Sequence, residues 1–405
     1  MKKLILSTSI ISALFFVSCS SDESDPVDNT IVPPTTYTFE RGGASTVSFG
    51  GQKTRILMGG ELKSAFLDFD NSTEASLLAM YSHEVGNNDF STSELNASDK
   101  NLRSKTAASH DYFSANASES AAIKSTLEGF ISSQVNEVFP NKMTVAAPGI
   151  AGQIADGSKT RYVSGNGLEY NQAFVKSLLG ALMTDQMLNH YLSNSILDEG
   201  SNRINNDNKI TEEGKAYTSM EHKWDEAYGY LYGNSQNPAN PNLTIGEDDA
   251  FLNEYVGQVS KDPDFSNLAS DIFDAFKLGR AAIVANNYEV RDAQAAIIRN
   301  NVSKVIAVRG IFYLQHGKNK IADGNRTGAF HALSEAYGFV YSLRFTRNPE
   351  TNTPLFTRTE VDALLSQLIN PSVDGFWGVT PETLDSVSEA IAAKFDFTVA
   401  QAASN

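Results

Sequence analysis

Two long stretches carry apolar residues at steps of three and four, and they leave few folds open. Between Tyr170 and Leu197, the residues Phe174, Leu178, Leu182, Leu188, Tyr191 and Leu192 recur on one side of a helix. From about 288 to 316, Ala293, Ile297, Val305, Val308 and Phe312 point one way. A third stripe, from Ala122 and Ile123 through Leu127, Phe130, Ile131, Val135 and Val138, is ended by Pro140. Helices this long bury an apolar stripe most simply against other helices. Shorter helices are expected at 72–85, 247–259, 265–286 and 327–345. Another follows the capping-box spacing Thr357 to Glu360, and a last one opens on Thr380-Pro381. The expected fold is all-α, two packed antiparallel helical bundles. Residues 37–59 alone read as β, a small N-terminal hairpin segment built from Tyr37-Thr-Phe39, Thr46-Val-Ser-Phe49 and Arg55-Ile-Leu-Met58. Residues 141–168, rich in glycine around Pro148, read as a long loop of the kind that often carries function.

The two bundles are expected to be related by an internal repeat. His222-Lys-Trp-Asp-Glu226-Ala-Tyr-Gly-Tyr-Leu-Tyr232 returns as His331-Ala-Leu-Ser-Glu335-Ala-Tyr-Gly-Phe-Val-Tyr341. Each copy sets a His and a Glu four positions apart on one helix face, with a Gly seven past the His on the same face. An imidazole, a carboxylate and a place without a side chain leave room for a ligand, or for a second helix to come close. Thr211 is the expected cap of the first motif helix.

The N-terminus reads as a lipoprotein leader. Met1-Lys-Lys is a basic start, Leu4 to Val17 is a short apolar run, and Ser18 precedes Cys19, the one cysteine of the chain. Residues 1–18 are the expected signal peptide and Cys19 the lipidated residue. Residues 19–36, polar and ending in Pro33-Pro34, are the expected flexible tether. The folded part is expected over 37–400, with bundle halves at about 60–245 and 246–400. An acyl anchor holds such a protein to a membrane without a spanning helix. The formal charge of −16 argues against a nucleic-acid partner, because phosphate contacts need a basic surface.

Neutral imidazole and carboxylate suit iron or zinc. One His/Glu pair holds a metal weakly; His222 and Glu226 brought against His331 and Glu335 would supply four ligands. The plain alternative is a hydrogen-bonded pair that fixes helix orientation, with Tyr and Gly serving close packing. Glu169, Gln172, Asp185 and His190 lie on or beside the early helix; His190 is the best additional ligand among them. His316, near a helix C-terminus, reads as a favourable end charge. Asn205 to Asn208 lacks the alternating acids of a calcium loop and reads as a turn. Trp224 and the tyrosines read as core. Walker, dinucleotide-binding and serine-elbow patterns are absent from the sequence.

On its two motif copies, its leader and its helical pattern, the chain resembles an uncharacterised family of bacterial lipoproteins, distantly related to the imelysin-like proteins. The resemblance covers about 37–400 and is most specific at 216–232 and 327–345. It implies an extracytoplasmic protein of two helical bundles, lipid-anchored to the outer membrane and associated with iron uptake, with an outer-membrane uptake receptor as a partner. Some imelysin-like proteins are described as metallopeptidases on a Gly-x-His-x-x-Glu motif. Here Met220 and Glu221 precede His222, which has Asp225 three residues on and Glu226 four on. His331 follows Ala329 and Phe330, has Ser334 three on, and finds its Glu at 335. The expectation is therefore a non-catalytic protein of metal or iron-compound acquisition. A metallopeptidase, or a structural or partner-binding component of a surface uptake complex, is the alternative.

Overall fold

A computed structural model describes residues 31–349, 351 and 353–404. The signal peptide, Cys19 and residues 19–30 of the tether lie outside these. The described chain is all-α, with two small two-stranded sheets. The first sheet is the hairpin β1 (Glu40–Arg41) with β2 (Ala44–Ser45). It is shorter than the β-rich look of 37–59 suggests. Gly50 already opens α1 (Gly50–Ala65), whose buried Arg55, Met58 and Leu62 are three and four apart, as one face of a helix requires. Arg55 to Met58 are therefore helical. α2 (Glu74–Ser82) starts on a Thr73 capping box, and α3 (Ala117–Ser133) buries Ile123, Leu127, Phe130 and Ile131. Ala122 of the expected stripe is exposed and Val135 half-buried.

The 141–168 region holds the second sheet, which the loop reading missed. β3 (Gly152–Asp156) pairs antiparallel with β4 (Lys159–Val163), Gly152 opposite Val163 and Asp156 opposite Lys159. Gly157 turns the hairpin at φ +59°, a value that a Cβ disfavours. α4 (Tyr170–Leu178) continues through two wider, π-type stretches, Leu179–Thr184 and Met187–Tyr191. Nearly every residue from Ala173 to Asn189 is buried, so the stripe seen in the sequence is one side of a fully enclosed helix.

The motif helices are α5 (Ser219–Tyr232) and, later, α9 (Arg326–Ser342). Between them lie α6 (Leu252–Val259), α7 (Leu268–Val284) and the 35-residue α8 (Tyr288–Ala322). α10 (Arg358–Leu368) and α11 (Pro381–Ala392) follow. The Thr357–Glu360 box forms as expected, and Pro381 takes the first turn of α11. Thr218, not Thr211, caps α5: its hydroxyl accepts from the Glu221 amide and its own amide donates to the Glu221 carboxylate at 2.7 Å. Tight turns at Ala285–Asn287 and Asp323–Asn325 fold α7, α8 and α9 onto each other as consecutive antiparallel neighbours.

α8 is the middle of the molecule and packs on α6, α7, α9 and α11. Its buried face differs from the expected one at its start. Ala293 and Ile297 are exposed; Arg291, Ala295, Ile298 and Val302 face inward. From Val302 to Ile311 all but one residue is buried, because neighbours cover the helix on several sides. The described residues from Val32 onward form one compact unit.

Candidate functional site

Each motif helix is clasped by a helix from earlier in the chain. α5 lies on α1: a Cβ added to Gly229 would stand 2.4 Å from the Phe49 Cβ. α9 lies on α4: a Cβ on Gly338 would stand 2.4 Å from the Lys176 Cβ. The contacts Ser334 to Glu169, Gly338 to Lys176 and Ser342 to Gly180 advance together, so α9 and α4 run in the same direction. The glycines of both copies thus serve close helix packing.

In the first copy, His222 Nδ1 lies 3.1 Å from the Ser48 carbonyl, and its ring stacks on Tyr217 at 4.6 Å. A carbonyl only accepts, so Nδ1 carries the hydrogen, and in the neutral ring Nε2 keeps its lone pair. Nε2 stands 4.0 Å from Glu226 Oε2. Glu226 also accepts from Gln52 Nε2 at 3.1 Å and faces Lys223 Nζ at 3.7 Å. In the second copy, His331 Nδ1 meets both oxygens of Glu169, at 3.1 and 3.2 Å, while Nε2 stands 3.7 Å from Glu335 Oε2. The two ring nitrogens point apart, so the two carboxylates flank the imidazole and do not converge on one point beside it. Glu335 is 3.3 Å from Lys176 Nζ.

Each His is therefore brought together with its own Glu, and each pair is tied to a different helix start. No group of three or more His, Cys, Asp or Glu among the described residues is arranged to hold a metal ion. Gln172 has no part in either pair. Asp185 is fully buried, accepting from the Ala108 and Ser109 amides at 3.1 and 3.0 Å; burial pushes its carboxyl up to about 6. His316 is an exposed residue whose ring stacks on Phe312.

What surrounds each motif Glu is cationic and aromatic. Near Glu226, Lys105 and Lys223 lie over the Tyr191 ring at 5.6 and 5.8 Å. His190 is close by; burial, with Lys105 next, pulls its imidazole down to about 4. Near Glu335, Lys176 lies over Tyr255 at 5.0 Å. Arg309 stacks against Phe312, Tyr313 and Tyr255 at 4.1, 4.5 and 5.7 Å. Arg309 is 3% exposed, its Nε has no hydrogen-bond partner, and its guanidinium forms no ion pair with the described residues. Lys63 adds a further cation, its ammonium drawn down by burial and then by Lys176.

Lys176 and Arg309 were outside the motif reading, yet the sequence marks them. Each interrupts an apolar run, Phe174-Val-Lys-Ser-Leu178 and Val305-Ile-Ala-Val-Arg-Gly-Ile311. A charge inside such a run is seldom there unless it is paired or used.

A second charged centre holds α5 in place. Fully buried Arg280 of α7 pairs with Glu221 and Asp225, both at 3.1 Å, and donates to Thr46 Oγ1 at 2.9 Å. Arg41 closes on Glu221 with two 2.8 Å bonds, and Tyr37 donates to Asp225 at 2.7 Å. These bonds tie the N-terminal hairpin to the first motif helix.

Fold and site together define an all-helical protein with a duplicated His/Glu motif, each copy set in a basic, tyrosine-lined surrounding. The chain belongs to the family described as domain of unknown function DUF4856, whose sequence profile matches residues 34–398. No curated protein and no solved structure matches it.

Proposed function

We propose that this protein is a lipid-anchored, extracytoplasmic, non-catalytic binding protein of metal or iron-compound acquisition, and that its motifs take an anionic iron chelate in place of a bare ion. The observation that carries this reading is buried Arg309, whose Nε has no hydrogen-bond partner, which forms no ion pair with the described residues, and which shares the Tyr255 ring with Lys176, itself 3.3 Å from Glu335. A buried cation without a partner is costly, and a carboxylate-rich ligand supplies the partner. A bare divalent ion would instead have to displace the ammonium groups at Glu226 and Glu335. His222, Glu226, His331 and Glu335 then flank the bound chelate. The leader and the imelysin-like resemblance support outer-membrane anchoring through Cys19 and delivery to an uptake receptor. No described helix is long and apolar enough to cross a membrane.

Purified protein titrated with ferric citrate, free zinc and haem tests this. Ferric citrate is expected to bind at least about tenfold more tightly than zinc, and Arg309→Met to weaken it by about tenfold or more, as loss of a buried charge-assisted contact does. No binding of the chelate refutes the reading, as does binding undiminished by Arg309→Met or by His222→Ala with His331→Ala. The packed glycines favour a second reading, in which the motif only locks helices in a partner-binding component. There the two alanines lower the melting temperature and leave iron binding unchanged. A peptidase would need a Glu base beside a metal-bound water; a protease panel with and without chelator tests it.

A further inference from the structure

Beyond the end of α9, a groove of about 640 Å³ opens between the 110–114 turn, the start of α3, residues 344–347 and the run into α10. Tyr112, Phe113, Phe345 and Phe356 make its aromatic walls. A smaller groove, between α3, α9 and α10, shares Glu119, Arg344 and Arg358 with it, so these side chains lie where the two meet. Although the whole chain carries a formal charge of −16, the larger groove sets His110, Arg344, Arg347 and Arg358 against Asp111 and Glu119. Both acids have partners. Asp111 pairs with Arg347 at 2.6 Å and accepts from the Ser193 hydroxyl at 2.7 Å; Glu119 accepts from the Asn116 side chain at 2.8 Å. Arg344 is held on two sides and unfilled on the third. Its Nε donates to the Tyr341 carbonyl at 3.2 Å, its Nη2 donates to Asp362 at 3.0 Å, and the guanidinium stacks on the Tyr341 ring at 4.0 Å. Its Nη1 donates to nothing among the described residues, in a side chain that lines both grooves and belongs to a residue 9% exposed. The other oxygen of Asp362 takes Arg358 Nε at 3.3 Å, so two guanidiniums share one carboxylate at the junction. A second carboxylate there meets donors on both arginines, one of them already fixed in place. An unmatched donor on a nine-tenths-buried guanidinium, at the wall of an aromatic groove, calls for an acceptor from outside the chain. The volume is that of a small-molecule site.

We propose that this groove binds a small aromatic carboxylate, its ring along Phe113, Phe345 and Phe356 and its carboxylate on Arg344 Nη1 and Arg358. The arginines select an anion over a neutral or cationic molecule of the same shape. The site is independent of the motif reading and stands or falls separately.

Calorimetric titration with 4-phenylbutanoate, 4-phenylbutanol and 4-phenylbutylamine tests it. The acid is expected to bind at least about tenfold more tightly than the alcohol, and the amine more weakly than either. Arg344→Met keeps the apolar bulk over Tyr341 and should bring the acid down to the level of the alcohol. Arg358 has a side chain 55% exposed, so Arg358→Met leaves the fold intact whatever Arg344→Met does, and it should weaken the acid while leaving the alcohol unchanged. Ser114→Trp checks the location: Ser114 is an exposed residue of the groove lining, so the indole enters the groove, and all binding should be lost. Circular dichroism confirms that the variants fold. Failure of the acid to bind, or equal binding of acid and alcohol, overturns the proposal. So does an acid preference undiminished by Arg358→Met, or binding that survives Ser114→Trp.

Discussion

Replacing Gly338 by alanine asks whether the motif glycine makes room for a helix or for a ligand. The added Cβ would stand 2.4 Å from the Lys176 Cβ and 3.1 Å from the Ala173 carbonyl oxygen. Carbon atoms rest about 3.5–4.0 Å apart, so α9 and α4 must separate by more than about 1 Å. Overpacking of this kind costs about 1–3 kcal/mol. Alanine returns about 1 kcal/mol through helix propensity. At the tighter end of that range the net loss is about 1–2 kcal/mol. Gly60→Ala is the control: it too lies inside a helix, but its Cβ meets nothing within 4 Å. That change should stabilise by about 0.5–1 kcal/mol. Urea unfolding of the two variants, with unchanged slopes, gives both numbers. Gly338→Ala equal in stability to Gly60→Ala would refute the packing argument and return the glycine to the role of ligand space.

Other consequences are checked by similar means. Arg280→Met leaves Glu221 and Asp225 buried beside a neutral side chain and should cost about 3–5 kcal/mol in unfolding free energy. Asp185 has its folded carboxyl raised to about 6 from 3.8. Its contribution is therefore fully present below about pH 4 and lost as pH rises through 6, by at most about 3 kcal/mol. Unfolding at pH 4 and pH 7 should show this loss in the wild type relative to Asp185→Asn; a constant difference between the two proteins would contradict it.

The helical class was legible because enclosure favours regular spacing. The run from Phe174 to Leu192 is apolar on the side facing the core centre, and its type needs no tertiary knowledge. The Thr357 and Thr380 starts were legible for a local reason, since a cap is made by residues three apart. Where tertiary contacts decide, the sequence misleads. Ala293 and Ile297 look like core, but the turn at Ala285–Asn287 sets α8 so that Ala295 and Ile298 face inward. The 152–163 hairpin hid among glycines, although Asp156-Gly157 is a turn signal. In the candidate site, the four-residue spacing set His222 beside Glu226 and His331 beside Glu335, and the side chains stand 4.0 and 3.7 Å apart, outside hydrogen-bond reach. Their surroundings did not follow from spacing. Glu169 and Lys176 come from the start and body of α4, Tyr255 from α6 and Arg309 from α8, and only packing brings the three helices to one place.

Anomalous diffraction at the iron edge, from crystals equilibrated with ferric citrate, addresses the binding claim most directly. The prediction is an iron peak beside Glu335 with citrate carboxylates on Arg309 and Lys176, and an equivalent peak near Glu226, Lys105 and Lys223. Crystals that take up no iron at either motif, with Arg309 still unpaired, would contradict it.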